Sequence, residues 1–334
     1  MKRRTLIAAA LAASTVMAAG AAVAQDGIEI VYIPKNTGNP YFDSIVAGFE
    51  DGCAELGCTF STTAPATPEA TSQIPFITAQ IQRRVDVIAI SPNSPDALNQ
   101  VLDRARDRGI LVLAVNGDLV GNEEHRDAGI LPVDFTKTGP NQVELLGSMI
   151  DYEGEIAILS ATTDAPDQNT WIAAMNDVLE NDPKYENMEL VATVYGDDEP
   201  QKSTTEAEAL LQTYPNLRGI ISPTTVGVAA AAQVIQSAGV ADEVELTGLG
   251  TPNQMRPFIK DGTVEAFQLW SPYNQGWLAA HFAVGVRNGD IEIAPGNTFE
   301  VPNLGTVTIE DKNVINTQAE LTTFTAENID DFDF

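Results

Sequence analysis

Polar and aromatic side chains follow the predicted ends of successive β-strands along this chain of 334 residues. The carboxyl ends of parallel strands meet at one edge of a sheet, where ligands bind. Amides, hydroxyls and carboxylates exchange hydrogen bonds with vicinal hydroxyls, and an aromatic ring covers an apolar C–H face. The combination predicts binding of a small neutral polyol. The predicted ligand-binding residues are Lys35, Asn36, Tyr41, Phe42, Asn116, Asp118, Asp167, Gln168, Asn169, Pro223, Thr224, Thr225, Gly250 and Trp270.

Lys35 has the strongest individual claim in this set, because a lone cation beside Tyr41 and Phe42 has no obvious structural purpose. Other members have plain structural alternatives. Asn116 and Asp118 could be turn or cap residues. Trp171, which is outside the set, is expected in the core.

Nothing in the sequence specifies a catalytic centre. The two histidines, His125 and His281, stand apart from each other and from any cluster. We find no HExxH motif, no Cys/His ligand spacing, no G-x-S-x-G elbow and no phosphate-binding glycine loop. Carboxylate pairs such as Asp197-Asp198 are predicted on exposed turns. We therefore expect no enzymatic activity, no cofactor and no metal site, and keep a secreted carbohydrate-active enzyme as the alternative of another class.

The first 24 residues have the pattern of a secretory signal. Basic residues 2–4 precede an apolar run over residues 6–23, and Ala22-Val23-Ala24 supplies the small residues of a cleavage site after Ala24. No later segment approaches the roughly 18 apolar residues that span a bilayer. We expect an exported protein without membrane insertion.

The net charge argues against nucleic acid and anionic lipid as partners. Loss of the signal would leave 47 acidic and 15 basic side chains, a formal net charge of −32. Such a field repels phosphate backbones and is typical of a protein kept soluble by charge.

Cys53 and Cys58 lie five positions apart around the predicted end of the first helix. An oxidising compartment makes a local disulfide plausible. Two small buried thiols are an equal alternative at this point. The spacing, without a nearby histidine, does not fit a metal site.

Strand and helix patterns alternate along the chain. Residues 28–33, 85–90 and 110–115 are predicted strands, and the last of these is apolar without alternation, as a central parallel strand buried on both faces requires. Residues 42–49 carry apolar side chains at helical spacing. The alternation predicts an α/β fold of two doubly wound parallel-sheet lobes joined by a hinge of several strands.

We expect both lobes to be discontinuous in sequence. After the signal peptide at residues 1–24, the N-terminal lobe should comprise residues 25–132 and about 273–295. The C-terminal lobe should comprise residues 133–272 and part of 296–334.

The chain resembles a known family over nearly all of its exported length. It is similar to the periplasmic solute-binding proteins of bacterial ABC importers, of the type I (ribose-binding-like) fold, and within them to the branch that binds rhamnose and autoinducer-2. The motifs that carry the resemblance are Ile33-Pro34-Lys35, Ile158-Leu-Ser-Ala161, Asp167-Gln168-Asn169-x-Trp171, Ser222-Pro-Thr-Thr-Val-Gly227, Gly250-Thr-Pro-Asn-Gln-Met-Arg256, Gly262-Thr263, Leu269-Trp270 and Asn328-Ile-Asp330 to Phe334.

The resemblance implies a monomeric periplasmic protein that captures a small neutral sugar by cleft closure and delivers it to a membrane permease. The expected ligand is a deoxy sugar such as rhamnose, because ordinary pentose and hexose binders carry an aspartate at Gly250 and a polar residue at Trp270. The alternative is an autoinducer-2 receptor for uptake or signalling. Receptors of that kind use residues matched by Lys35, Asp167, Gln168 and Pro223.

Departures from both groups leave the identity of the ligand open. Asn116 stands where autoinducer-2 receptors carry an aspartate, which removes a charged acceptor. Ser222-Pro-Thr-Thr-Val-Gly227 is similar to the rhamnose group, but Asp164-Ala-Pro-Asp167 and Tyr273-Asn274-Gln275 depart from it.

Overall fold

Two parallel β-sheets with helices on both faces organise residues 27–334, the part of the chain that the computed structural model describes. This confirms the predicted α/β class with two doubly wound lobes. The predicted signal peptide and its cleavage site lie outside the described residues. Within residues 27–334, none of the helices combines the length and apolar character that crossing a membrane demands.

The elements follow one another in a regular alternation until the last third of the chain. In chain order they are β1 (Glu29–Ile33), α1 (Pro40–Leu56), β2 (Thr59–Thr62), α2 (Ile74–Arg83), β3 (Val87–Ile90), α3 (Asn99–Arg106), β4 (Leu111–Val115), β5 (Ala128–Leu131), α4 (Phe135–Met149), β6 (Glu153–Ser160), α5 (Pro166–Asn181), β7 (Asn187–Tyr195), α6 (Pro200–Thr213), β8 (Leu217–Ser222), α7 (Thr225–Ala238), β9 (Glu245–Gly248), α8 (Pro252–Lys260), β10 (Phe267–Leu269), α9 (Pro272–Asn288), β11 (Thr298–Val301), β12 (Gly305–Thr308), β13 (Val314–Asn316) and β14 (Thr322–Phe324).

The first sheet has six parallel strands in the order β13-β5-β4-β3-β1-β2. Every residue of β3 and β4 is buried, as expected for central strands with helices on both faces. Residues 128–131, just before the predicted end of this lobe's first segment at residue 132, form β5 between β4 and β13. The apolar sequence Ala-Gly-Ile-Leu suits such a buried strand.

The second sheet has four parallel strands in the order β7-β6-β8-β9. A bridge between Leu249 and Gln268 continues it to β10, which pairs with β14 in antiparallel fashion. The last strand of the chain therefore returns to the second sheet, whereas β13 lies at the edge of the first.

Close packing of α1 on α9 adds a late helix to the first lobe. A Cβ atom on Gly48 would lie 2.1 Å from the carbonyl oxygen of Tyr273, and one on Gly276 would lie 2.0 Å from that of Ile45. Only glycine allows the two backbones to approach so closely. The contact fixes the start of α9 and the position of Trp270 just before it.

The chain passes between the sheets at three places. These are residues 132–134 between β5 and α4, residues 270–271 between β10 and α9, and residues 317–321 between β13 and β14. Side-chain contacts brace these segments, since Thr317 Oγ1 donates to the carbonyl of Pro132 at 2.8 Å and Gln318 Oε1 accepts from the amide of Ser271 at 3.2 Å.

A disulfide joins Cys53 and Cys58, with 4.7 Å between their Cα atoms. Gly57, in the left-handed conformation at φ 75°, ends α1 between them. Of the two alternatives that the spacing allowed, the structure contains the disulfide, and it ties the end of α1 to the start of β2.

Candidate ligand-binding site

A cavity lies between the two sheets, at the carboxyl ends of their strands. Its volume is about 40 Å³, which is room for a few water molecules. Side chains from both lobes line it, so any ligand there would touch both. The lining residues are Lys35, Asn39, Tyr41, Phe42, Asn116, Asp167, Gln168, Trp171, Asp198, Pro223, Thr224, Thr225, Leu249, Leu269 and Trp270.

An ion pair between Lys35 and Asp167 crosses the cavity from one lobe to the other. Lys35 Nζ lies 2.7 Å from Asp167 Oδ1 and 2.8 Å from Oδ2, and both residues are buried. Lys35 follows β1 of the first sheet, whereas Asp167 lies in the first turn of α5. Two buried opposite charges balance each other here, and each is already a strong hydrogen-bonding group aimed at the same small volume.

The hydroxyl of Tyr41 is the centre of a second polar network. It accepts hydrogen bonds from Trp270 Nε1 at 2.7 Å and from Gln275 Nε2 at 2.9 Å, and donates to Asn116 Oδ1. Its hydrogen-bonding capacity is therefore filled. Burial raises the pKa of the phenol well above its usual range, so the hydroxyl remains a neutral donor. Asn116 Nδ2 in turn approaches Asp167 Oδ2 at 3.5 Å, which joins the two networks.

Asp198 brings a further carboxyl group to the second lobe's side of the cavity. It accepts a hydrogen bond from Thr224 Oγ1, and burial raises the pKa of this carboxyl. The expectation that Asp197 and Asp198 both lie on an exposed turn is wrong for Asp198, which is 7% exposed. Positive φ angles of 53° at both residues turn the second side chain inward after β7.

Aromatic rings form the apolar part of the lining. The rings of Trp171 and Trp270 lie 5.7 Å apart, those of Tyr41 and Trp270 6.5 Å and those of Tyr41 and Phe42 5.3 Å, all edge to face. Trp171 Nε1 is buried without a hydrogen-bond partner among residues 27–334. Buried indole N–H groups usually have partners, so a ligand oxygen would satisfy this one.

The first turns of α1, α5 and α7 contribute residues to the cavity lining. Asn39 caps α1 by accepting from the amide of Tyr41 at 3.1 Å, and it also accepts from Thr225 Oγ1 of α7 at 3.4 Å. Asp167 occupies the first turn of α5. Gln168 Oε1 accepts from the amide of Ala161 at 3.2 Å, which orients the amide group.

Most of the predicted ligand-binding residues line the cavity, and the others have identifiable places outside it. Asp118 forms a buried ion pair with Arg126, at 2.6 Å between Oδ2 and Nη2. Asn169 Nδ2 donates to the carbonyl of Thr163, and Asn36 is buried beside Lys35. A Cβ atom on Gly250 would lie 2.6 Å from Met255 Cγ, so glycine is required there for packing.

Several lining residues were not in the predicted set: Asn39, Trp171, Asp198, Leu249 and Leu269. Asn39 precedes Pro40 as a helix cap, a pattern that could have placed it at a strand-to-helix turn. Leu249 and Leu269 have no such signal, because an apolar residue at a strand end is indistinguishable from core in the sequence. No group of three or more His, Cys, Asp and Glu side chains in residues 27–334 could hold a metal ion.

Residues 30–290 match the family model described as "Periplasmic binding protein domain". The chain belongs to this family, and the fold of two parallel-sheet lobes described above agrees with it.

Three known proteins illustrate the similarity. A D-ribose/D-allose-binding protein of Pseudomonas aeruginosa is 25% identical over 245 residues, covering 71% of this chain and 75% of its own. The structure of a sugar ABC transporter from Actinomyces odontolyticus is 37% identical and covers 92% of this chain and 97% of its own, with a TM-score of 0.74. An ABC transporter solute-binding protein from Clostridium phytofermentas with bound L-rhamnose is 32% identical and covers 91% of this chain and 98% of its own, with a TM-score of 0.87.

Proposed function

We propose that this protein captures a small neutral sugar between its lobes in the periplasm and delivers it, chemically unchanged, to the membrane permease of an ABC importer. The observation that carries the proposal is the Lys35–Asp167 pair, which spans a cavity lined by both polar groups and aromatic rings. The similar proteins are named for sugars and for ABC transport.

The charges of the lining favour an uncharged ligand. Lys35 is neutralised by Asp167, so the described residues that line this cavity offer no unpaired cation to a carboxylate or phosphate. An anionic ligand would meet Asp167 and Asp198, and a cationic ligand would meet Lys35. Hydroxyl groups suit this arrangement because they donate to the carboxyl oxygens and accept from Lys35 and from the indole of Trp171.

A 6-deoxy sugar such as rhamnose is the ligand that we propose. Trp270, Trp171, Leu249 and Leu269 offer an apolar surface for a methyl group. Burying one methyl contributes about 0.8 kcal/mol, whereas a hydroxyl left without a partner there would cost about 1–3 kcal/mol. The structure with L-rhamnose, at 32% identity, supports this choice.

Capture requires that the two lobes separate and close. Because side chains of both lobes line the cavity, we propose that the lobes move apart to admit a sugar and close around it. We propose that the three crossings at residues 132–134, 270–271 and 317–321 act as the hinge. A ligand that contacts both lobes favours the closed state by its differential affinity, and a micromolar dissociation constant corresponds to about −8 kcal/mol.

A matched set of sugars tests the proposal. The pyranose rings of L-rhamnose, L-mannose and L-lyxose differ only in the substituent on C5, which is a methyl group, a hydroxymethyl group or a hydrogen atom. Isothermal titration should give the tightest binding for L-rhamnose, with L-lyxose roughly fourfold weaker and L-mannose roughly tenfold weaker or more. Equal affinities would reject the methyl-binding surface, and absence of binding by all neutral sugars would reject the sugar-binding function.

Autoinducer-2 is the second candidate ligand, favoured by the arrangement of Lys35, Asp167, Gln168 and Pro223 around one cavity. Asn116 weakens the case for autoinducer-2, because its amide stands in place of a charged acceptor. Titration with autoinducer-2 beside L-rhamnose decides between them. If autoinducer-2 binds more tightly, a deletion strain separates uptake from signalling by whether the compound disappears from the medium.

A secreted carbohydrate-active enzyme would use the same cavity differently. We propose no reaction, because Asp167 is paired with a lysine and Asp198 with a threonine. Incubation of the protein with the bound sugar, followed by chromatography, should return the sugar unchanged; steady product formation would establish an enzyme.

A further inference from the structure

A second hollow lies at the opposite end of the first lobe, at the amino ends of β3 and β4. It has a volume of about 250 Å³. Three arginines line it, Arg84 after α2, Arg108 after α3 and Arg287 near the end of α9, against the single carboxylate of Asp86. This surplus of cations is unexpected in a chain of formal net charge −29.

Arg287 is held in place by the protein itself. Its Nη1 donates to the carbonyl of Gly109 at 2.9 Å and its Nη2 to Asp86 Oδ1 at 3.0 Å. The other oxygen of Asp86 accepts from the amide of Glu29 at 2.9 Å. Asp86 carries the single carboxylate among the described residues that line the hollow, and both of its oxygens are engaged. Arg287 therefore presents a fixed guanidinium group.

Arg84 and Arg108 are exposed, and neither side chain has an ion pair or hydrogen bond with any residue between 27 and 334. Arg84 also occupies a left-handed conformation at φ 60°, where it ends α2. Glycine or asparagine would adopt this conformation at lower cost. An arginine at a strained position, beside a second unpaired arginine, points to an interaction outside the protein's own fold.

We propose that this hollow binds a phosphate group. Guanidinium groups form paired, charge-assisted hydrogen bonds with phosphate oxygens, and arginines from three separate segments suit a tetrahedral anion better than a planar carboxylate. The group could belong to free phosphate or to the headgroup of an anionic phospholipid. The site is independent of the proposed sugar site, which lies at the carboxyl ends of the strands.

The test is calorimetric titration of the protein with inorganic phosphate in a low-salt, phosphate-free buffer. Wild-type protein should bind phosphate at one site, and the affinity should fall as sodium chloride is added, because the Debye length shortens to about 10 Å at 0.1 M. Arg84→Gln/Arg108→Gln should bind phosphate roughly tenfold more weakly or worse. Arg218→Gln removes an exposed arginine from the other lobe and should leave phosphate binding unchanged.

Flotation with vesicles identifies the source of the phosphate group. Binding to phosphatidylglycerol vesicles but not to phosphatidylcholine vesicles, lost in the double variant, assigns the headgroup; phosphate binding without flotation assigns the free anion. Equal phosphate binding by wild type and the double variant, or none by wild type, overturns the proposal. We expect each variant to keep the melting temperature and the sugar affinity of wild type. An unchanged melting temperature separates a loss of phosphate binding from misfolding, and the sugar titration separates failure of the phosphate proposal from failure of the sugar proposal.

Discussion

The indole nitrogen of Trp270 donates a hydrogen bond of 2.7 Å to the hydroxyl of Tyr41. Tyr41 belongs to the first turn of α1 in the first lobe, and Trp270 stands where the chain crosses from β10 to α9. The same hydroxyl bonds Gln275 of α9 and Asn116 after β4. One buried oxygen therefore links the cavity lining to a segment that we propose as part of the hinge.

Replacing Tyr41 by Phe should weaken sugar binding and destabilise the fold together. The change leaves Trp270 Nε1, Gln275 Nε2 and Asn116 Oδ1 without this partner, at a cost of about 1–3 kcal/mol in unfolding free energy. Because Trp270 and Asn116 line the cavity, we also expect roughly tenfold weaker sugar binding. Tyr273→Phe is the control, since its hydroxyl donates to exposed Asp51 Oδ2 at 2.9 Å; similar losses in both variants would refute a special role for Tyr41.

Replacing Asp167 by Asn should leave Lys35 as a buried charge without its partner. We expect sugar affinity to fall by about 2–5 kcal/mol and chemical denaturation to show a large loss of stability. The double variant Lys35→Met/Asp167→Asn should recover much of the stability, because no unpaired charge remains, but not the affinity. Asp197→Asn breaks the exposed pair with Lys202 and should change stability by roughly 0.5 kcal/mol or less. An unchanged sugar affinity in Asp167→Asn would remove this residue from the site.

The pH dependence of stability should report the buried carboxyl of Asp198. Burial raises its pKa, so the folded state keeps the proton to higher pH than the unfolded chain does. Its contribution to stability is therefore largest at low pH and is lost as the pH rises through the raised pKa. In Asp198→Asn this loss is absent, so the melting temperature of the variant minus that of wild type should increase from about pH 4 upward. A difference independent of pH would show that the carboxyl is not perturbed.

Removing the disulfide should cost stability without affecting the ligand. Replacing Cys53 and Cys58 by Ser opens a very short loop, for which the chain-entropy relation gives about 2 kcal/mol. The bond lies at the far end of α1 from Asn39 and Tyr41, so sugar affinity should stay within twofold of wild type. A larger change in sugar affinity, measured by calorimetric titration, would contradict this expectation and show that the disulfide and the cavity are coupled along α1.

The pattern of apolar residues along the sequence was enough to predict much of the fold. The buried apolar runs predicted β1, β3 and β4 to within two residues, since a strand covered on both faces cannot alternate. The strand β5 was missed because Ala128–Leu131 contains a glycine and is followed directly by Pro132. The edge strand β2 was missed too, as Thr59–Thr62 is largely polar.

The candidate site was harder to predict than the fold. Their positions after predicted strands were enough to predict Lys35, Asp167 and Trp270 as site residues, because a cation, a carboxylate and an aromatic ring are conspicuous there. It could not separate Asp118, which pairs with Arg126, from Asp198, which enters the cavity. That difference depends on the backbone turn at each residue and on partners distant in sequence.

Tryptophan fluorescence during sugar titration tests the central claim most directly. Two of the three tryptophans, Trp171 and Trp270, line the cavity, so a sugar held between the lobes must change their surroundings. We predict a saturable change in emission with L-rhamnose, with a midpoint shifted to higher concentration in Asp167→Asn. Emission that stays constant through millimolar concentrations of every neutral sugar tried, or the same midpoint in both proteins, would contradict the account.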